Sequence, residues 1–309
     1  MISIVIPSFN QARFLERTLR SVFEQSVPAE VIVIDGGSTD GSVEILRRHA
    51  GRLAHWVSEP DNGQTHAINK GMARATGEIR SYLNSDDVLL PGALEAVLAA
   101  HAADPEADLL HGRCITIDAE DRVLPRRFFG DFGTPAEILD LWGVWFAGRN
   151  VVQPEVFWTR RLAERIGPFD EARHYAMDYD YWCRAILAGA RVHRIDRDLA
   201  AFRLWENQKS TAAQAAADEL RDIAVRHLRD PGVPLPPGVR RRLLGNWAFD
   251  EVFAKAGGRL AGSGLSPLRR RLAMLGVVLG NPELLFSPHF RRHAGKLVRR
   301  WRRSPMAGR

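Results

Sequence analysis

Over the first 110 residues the apolar positions switch repeatedly between two periods. Short β-branched runs occur at 2–8 (ISIVIPS), 30–38 (EVIVIDGGS), 53–60 (LAHWVSEP) and 78–84 (EIRSYLN). Each is followed by a segment with apolar residues three and four apart, as in Phe14, Leu15, Leu19, Val22 and Phe23. The helical segments are 11–26, 39–51 (ending at Gly51), 63–77 (closed by Gly77) and 91–103, with Pro91 near the start of the last. Strands alternating with helices predict an α/β fold, with a mainly parallel central sheet and helices on both faces.

From Asp108 the pattern changes. Segments 108–118 and 122–130 read as a hairpin, and 137–148, 153–167 and 177–189 as mixed elements. Residues 190–205 return to strand, and 211–230 form a helix with an Ala-rich start. The run PGVPLPPG (231–238) marks a boundary. The division is therefore 1–230, made of halves 1–110 and 111–230, and a helical extension, 231–309.

Charge sharpens that division. The net charge of +6 conceals 16 Lys/Arg against 3 Asp/Glu in 231–309. The extension is thus basic and the main domain acidic, which suggests that the extension meets an anionic surface. In HFRRHAGKLVRRWRR (289–303), Phe290, Ala294, Leu297, Val298 and Trp301 share one helical face and Arg/Lys fill the other. This pattern predicts either a helix lying on an anionic membrane surface or one packed on the protein's own acidic domain. No nucleic-acid reading motif accompanies the charge, so no nucleic-acid partner is expected. LAMLGVVLG (272–280) is too short to span a bilayer. The start, MISIVIPSFN, has no basic region followed by an apolar one, and Cys114 and Cys183 form no disulfide framework or metal-spaced cluster. Both features fit a cytoplasmic setting.

Ligands of open parallel sheets bind beyond the carboxyl ends of the strands. Four polar clusters fall there: Pro7–Asn10, Asp35–Ser38, Glu59–Asn62 and Asn84–Asp87. Each taken alone is also turn and cap chemistry. Asp35 either shapes its βα turn or accepts from a base or ribose. Asn84-Ser85-Asp86-Asp87 either makes a turn or offers oxygens to a ribose and a hard divalent cation, with substrate phosphates completing the shell. Asp178 and Asp180 either favour a helix N-terminus or serve as a general base. The glycines after Asp35 do not fit G-x-G-x-x-G, and no P-loop occurs.

The ordered set VIPSFNQARFLERTLRSVFEQ, EVIVIDGGSTDGS, EPDNGQTHAINKGMARATGEI and YLNSDDVLLPGAL resembles the family 2 glycosyltransferases, over roughly residues 1 to 210. The resemblance implies the GT-A fold and an inverting, metal-dependent transfer from a nucleotide sugar, most often a UDP-sugar. The basic extension favours a lipid-linked or polysaccharide glycan as acceptor, at the inner face of the cell membrane, as in surface polysaccharide or lipopolysaccharide assembly. Residues 1–110 would then be the nucleotide-binding half and 111–230 the acceptor-side half. Pro7, Asn10, Asp35 and Asp61 would meet the base or ribose, with Ser85 beside them. Asn84-Ser85-Asp86 stands for the family's D-x-D element. Asp86 would be the ligand of Mg²⁺ or Mn²⁺, Asn84 a neutral contact, and Asp87 a second ligand, a supporting group or a helix cap. Asp178 would be the general base, with Asp180 as alternative. Gln153 and Trp182 would lie on the acceptor side, and Arg203 would meet the diphosphate. The chain departs from the family at Ile68, where an Arg is usual and Lys70 would supply the charge, and at Trp205, which replaces a His. Two other readings remain: an inactive sugar-nucleotide binder anchored to a membrane, and a sugar-phosphate nucleotidylyltransferase. The second lacks its Gly-rich phosphate loop here.

Overall fold

The computed structural model describes residues 1–206, 208–209 and 213–303, with side chains described as far as residue 296. The chain forms two compact units, Met1–Leu220 and Arg221–Arg309. The Pro-rich run at 231–238 therefore falls inside the second unit.

The first unit opens with β1 (Ile2–Ser8), α1 (Ala12–Phe23), β2 (Ala29–Asp35), α2 (Ser42–His49), β3 (His55–Ser58), α3 (Gln64–Met72) and β4 (Ile79–Tyr82). β5 (Val88–Leu89), α4 (Ala93–Ala103), β6 (Leu109–Ile117), β7 (Val123–Phe128), α5 (Pro135–Ile138) and β8 (Val156–Thr159) follow. It closes with α6 (Arg160–Ile166), α7 (Met177–Leu187), β9 (Val192–Arg203) and the first part of α8 (Ala213–Arg229). The sheet runs β3-β2-β1-β4-β8-β6-β9-β5, and β7 pairs with β6. β3, β2, β1 and β4 are mutually parallel, as the alternation predicts. β8 pairs antiparallel with both β4 and β6, so the second half of the chain joins through a reversed strand. The hairpin expected over 108–130 is β6–β7.

Burial explains the strand patterns. All seven residues of β1 are buried, because helices cover both sheet faces. Phe14, Leu15, Leu19 and Val22 of α1 are buried. Leu15, Leu19 and Val22 join Ile2, Ile4 and Ile6 in the main core. At the other end of the sheet, polar ties end α3 at Met72, short of Gly77. Thr76 N–H donates to Glu30 Oε2 (2.8 Å) and Gly77 N–H to Ser3 Oγ (2.7 Å), drawing the chain into β4. α4 starts at Ala93 after Gly92, whose φ of +73° suits glycine, and has no side-chain cap. Asp87 is therefore not the cap of this helix.

The second unit holds the end of α8, then α9 (Pro237–Ala248), α10 (Lys255–Ala261), α11 (Pro267–Gly280) and α12 (Pro288–Arg303). A π-helical turn, Phe249–Ala254, joins α9 to α10. A small core of Ala248, Leu284 and Phe290 is extended by Phe249, Phe253, Val278 and Ala294. The apolar face expected on α12 is thus packed inside this unit at Phe290 and Ala294. The side chains of Leu297, Val298 and Trp301 lie outside the described residues. Among the described residues, no helix is long and apolar enough to cross a membrane.

Candidate active site

The parallel register sets the carboxyl ends of β1, β2 and β3 side by side, with Ser8 opposite Asp35 and Asp35 opposite Ser58. Pro7 is buried within β1. Asn10 follows at φ +52°, a left-handed conformation that Asn tolerates. Its Oδ1 accepts from Thr39 N–H (2.9 Å), and its own N–H donates to Ser38 Oγ (2.7 Å). The two loops are thereby tied into one rim.

Asp35 turns inward. It is 0% exposed, and its carboxylate accepts from Gly37 N–H, Ser38 N–H, Ser38 Oγ–H and Ser58 Oγ–H, at 2.6 to 3.2 Å. It folds the β2–α2 loop at the carboxyl end of β2. Asp61 stays on the rim. Its Oδ1 accepts from Gly63 N–H (2.7 Å), and its Oδ2 faces Gly36, where an added Cβ would come within 2.9 Å. Glycine at 36 therefore keeps the carboxylate and the neighbouring exposed Phe9 close to the strand end. Lys70 is paired with Glu59, which follows β3.

Beyond β4 the two acids separate. Asp87 is buried. Its Oδ1 accepts from Arg203 N–H (2.9 Å) and its Oδ2 from Asn84 Nδ2–H (3.2 Å). Burial, and then the neighbouring Asp86, push its pKa well above the usual carboxylate range. It ties the acidic turn to β9. Asp86 is half-buried, and Trp205 Nε1–H donates to its Oδ2 (2.9 Å). Burial raises its pKa, and the indole hydrogen bond opposes that rise. Trp205 thus holds one carboxylate oxygen of Asp86, and its ring packs 5.2 Å from that of Phe14.

Arg203 is turned into the protein. It is 1% exposed, with Nε–H donating to Asp86 O (2.7 Å) and an Nη1–H to Asp118 O (2.7 Å). Its Nη2 pairs with Asp121 at 2.6 Å. It pins the acidic turn to β9. Ser85 is buried within the turn. Asn84 is likewise engaged internally: besides its bond to Asp87, its Oδ1 accepts from Gln64 Nε2–H (2.7 Å).

The opposite wall comes from α7. Asp178 is half-buried in its first turn, and its Oδ1 accepts from Tyr179 N–H (2.7 Å). Burial, ahead of every other cause, raises its pKa to about 6. Asp180 differs. It is buried, and Arg184 Nε–H donates to its Oδ2 (2.8 Å) while that guanidinium also holds Ile166 O and Pro168 O. Asp180 thereby braces α7. Asp178 and Asp87 both raise the pKa of the buried Tyr82 hydroxyl, after burial itself, so both acids act on Tyr82, the last residue of β4.

The two residues expected on the acceptor side are both buried. Trp182 is 1% exposed and stacks on Phe132 (5.6 Å) and Trp145 (6.1 Å), so it is core. Gln153 is buried, with Nε2–H donating to Tyr82 O and Oε1 left without a partner. It supports β4 from beneath.

Lys209 was missed by the sequence reading. Its Nζ donates to Gln64 Oε1 (2.8 Å), and its charge acts on Asp178. Lys209, Gln64, Asn84 and Asp87 therefore form one chain of hydrogen bonds across the site. The signal was its place in FRLWENQKS, the segment following β9, but no periodic pattern marks it.

The family model described as "Glycosyl transferase family 2" matches residues 3–153. A PGL/p-HBAD biosynthesis glycosyltransferase of Mycobacterium tuberculosis is 31% identical over 199 residues, covering 63% of this chain and 73% of that protein. The chain belongs to glycosyl transferase family 2. An uncharacterized glycosyltransferase of Nostoc is 27% identical over 229 residues, covering 71% of this family 2 chain and 69% of its own. Staphylococcus aureus TarS 1–349, solved with UDP-GlcNAc, superposes with a TM-score of 0.62 at 19% identity, covering 91% of this chain and 81% of that one. A mannosyltransferase from Pyrobaculum calidifontis, solved with GDP-Man and Mn²⁺, gives 0.60 at 22% identity, with 92% and 82% covered. The fold is the GT-A fold, and this family 2 protein is a glycosyltransferase.

Proposed function

We propose that this glycosyltransferase moves a sugar from a nucleotide-sugar donor, a UDP-sugar first, to a hydroxyl of a lipid-linked or polysaccharide glycan. The first unit is the catalytic domain in this reading. The observation that carries it is the pair of half-buried acids, Asp86 and Asp178, on the two segments whose acids act on Tyr82, the last residue of β4. Asp178 is the base. The acceptor oxygen forms a bond to the anomeric carbon as the bond to the nucleoside diphosphate breaks. The diphosphate leaves with that electron pair, the hydroxyl proton passes to Asp178, and the single displacement inverts the anomeric centre. A pKa of about 6 leaves Asp178 ionised at neutral pH yet more basic than an ordinary aspartate.

Asn10 and Asp61 on the rim are the donor contacts we assign, with Phe9 beside them. Lys209 is the cation that lies between the donor side and the base. For a divalent cation the donor set fits in part. Among the described residues no group of three His, Cys, Asp or Glu side chains comes together. Asp86 supplies one carboxylate, with Trp205 holding its Oδ2, and Mg²⁺ or Mn²⁺ sites of this chemistry take their remaining oxygens from substrate phosphates and water. Such an ion, when bound, neutralises charge on the leaving diphosphate. Solved relatives of the same fold carry UDP-GlcNAc, and GDP-Man with Mn²⁺, which supports this choice of donor and metal. The basic second unit supports a place at the inner membrane face.

The test is a panel of nucleotide sugars assayed with and without Mn²⁺. Asp86→Ala is expected to lose metal-dependent turnover, and Asp178→Asn to bind donor but lose transfer. Full activity in Asp86→Ala overturns the metal assignment, and full activity in Asp178→Asn overturns the base.

A further inference from the structure

The second unit carries an apolar surface that its own fold leaves open. In α11, Leu268, Leu272, Leu275 and Leu279 are between 53% and 73% exposed. At the helical repeat these four fall within an arc of about 60°. The other side of the helix, Met274, Val277 and Val278, is half-buried, and Val278 joins the small core. α11 is therefore apolar on two sides, and packing uses only one. Arg269 and Arg271 flank the leucines and are exposed. A cavity of about 820 Å³ adjoins the stripe, lined by Phe249, Phe253 and Met274, and shares Arg271 and Leu275 with it. Four leucines facing water mark an interaction surface. Guanidinium groups on both flanks, in a segment with 16 Lys/Arg against 3 Asp/Glu, select an anionic partner. A second copy is disfavoured, since it would set arginine against arginine.

We infer that α11, and not α12, is the face by which this protein binds an anionic lipid bilayer. The leucines enter the acyl boundary, and Arg269 and Arg271 meet lipid phosphates. α12 cannot offer the whole face read from its sequence, because Phe290 and Ala294 pack into the unit's own core. The inference deepens the membrane-side reading above and rests on it for location only. It needs neither the donor nor the base assignment.

The test is flotation of the full chain with vesicles of phosphatidylcholine alone or with one-third phosphatidylglycerol. The wild type is expected on the anionic vesicles only, with binding that falls as salt rises. Leu272→Glu/Leu275→Glu is expected to weaken binding by about tenfold or more. Arg269→Glu/Arg271→Glu is expected to weaken it and flatten the salt dependence. Arg291→Glu/Arg292→Glu on α12 is expected to stay within about twofold of wild type. Thermal shift with nucleotide sugar, run without vesicles, is expected to be unchanged in every variant, which separates loss of docking from misfolding and from failure of the donor reading. Wild type that ignores anionic vesicles overturns the inference, as does a leucine variant that binds like wild type or a larger loss in the α12 variant. A dimer split by Leu272→Glu, with vesicles ignored, overturns it in favour of self-association.

Discussion

Asp178 stands in the first turn of α7, where unpaired amides favour a carboxylate, yet burial raises its pKa to about 6. Two consequences follow from that one value. With Asp178 as the proposed base, kcat is expected to fall as pH drops below about 6, read from a pH–rate profile at saturating donor. Stability runs the other way. A folded-state pKa above the ordinary value of 3.8 means that the fold favours the protonated acid, and this advantage is lost as pH rises from the unfolded value through about 6. Asp178→Asn is therefore expected to melt higher than wild type at pH 8, by on the order of 2 kcal/mol, and close to wild type at pH 4. Trp205 invites a different experiment. Its indole N–H fixes Asp86 Oδ2, so Trp205→Phe is expected to raise the Mn²⁺ concentration for half-maximal activity by about tenfold. A metal titration at saturating donor checks this.

At the scale of elements, the position of α7 depends on Glu219 of α8. Its carboxylate accepts from the N–H groups of His174, Tyr175 and Ala176, at 2.8 to 3.0 Å. These amides lead directly into the helix that carries Asp178. Glu219→Ala leaves them without their partner and is expected to cost about 1–3 kcal/mol in a denaturant titration, while lowering kcat more than donor affinity. This dependence also bears on what the sequence makes legible. The strands, their parallel order and the polar residues at their ends follow from period and position. Which way a polar side chain turns does not. Asp35 and Asp86 look alike at strand ends, but one closes on its own loop amides and the other meets an indole from residue 205. Asp178 and Asp180 both favour a helix N-terminus, and only the presence of Arg184 one turn later separates them. Trp182 illustrates the same limit. An aromatic residue suits a sugar face and a core equally, and Phe132 and Trp145 decide between them.

Across the whole molecule the charge is divided, with the net positive charge lying beyond residue 230, where 16 Lys/Arg face 3 Asp/Glu. Transfer to a lipid-linked acceptor in anionic vesicles is expected to fall steeply as ionic strength rises, while transfer to a soluble acceptor stays nearly constant. Assaying both acceptors over one salt series checks this. The pinning of the acidic turn by Arg203 has a consequence in time as well as in space. Arg203 lies 116 and 117 residues beyond the groups it holds, and β5 beside them is completed only by β9. Contacts of such separation form late in folding, and synthesis delivers residue 203 well after the nucleotide-side strands. A nascent or half-folded chain therefore has its first strands but lacks the brace that sets Asp86. On the proposed reading, donor turnover is expected only once β9 is in place, and during refolding activity should return together with the burial of Trp205, not with the first strands.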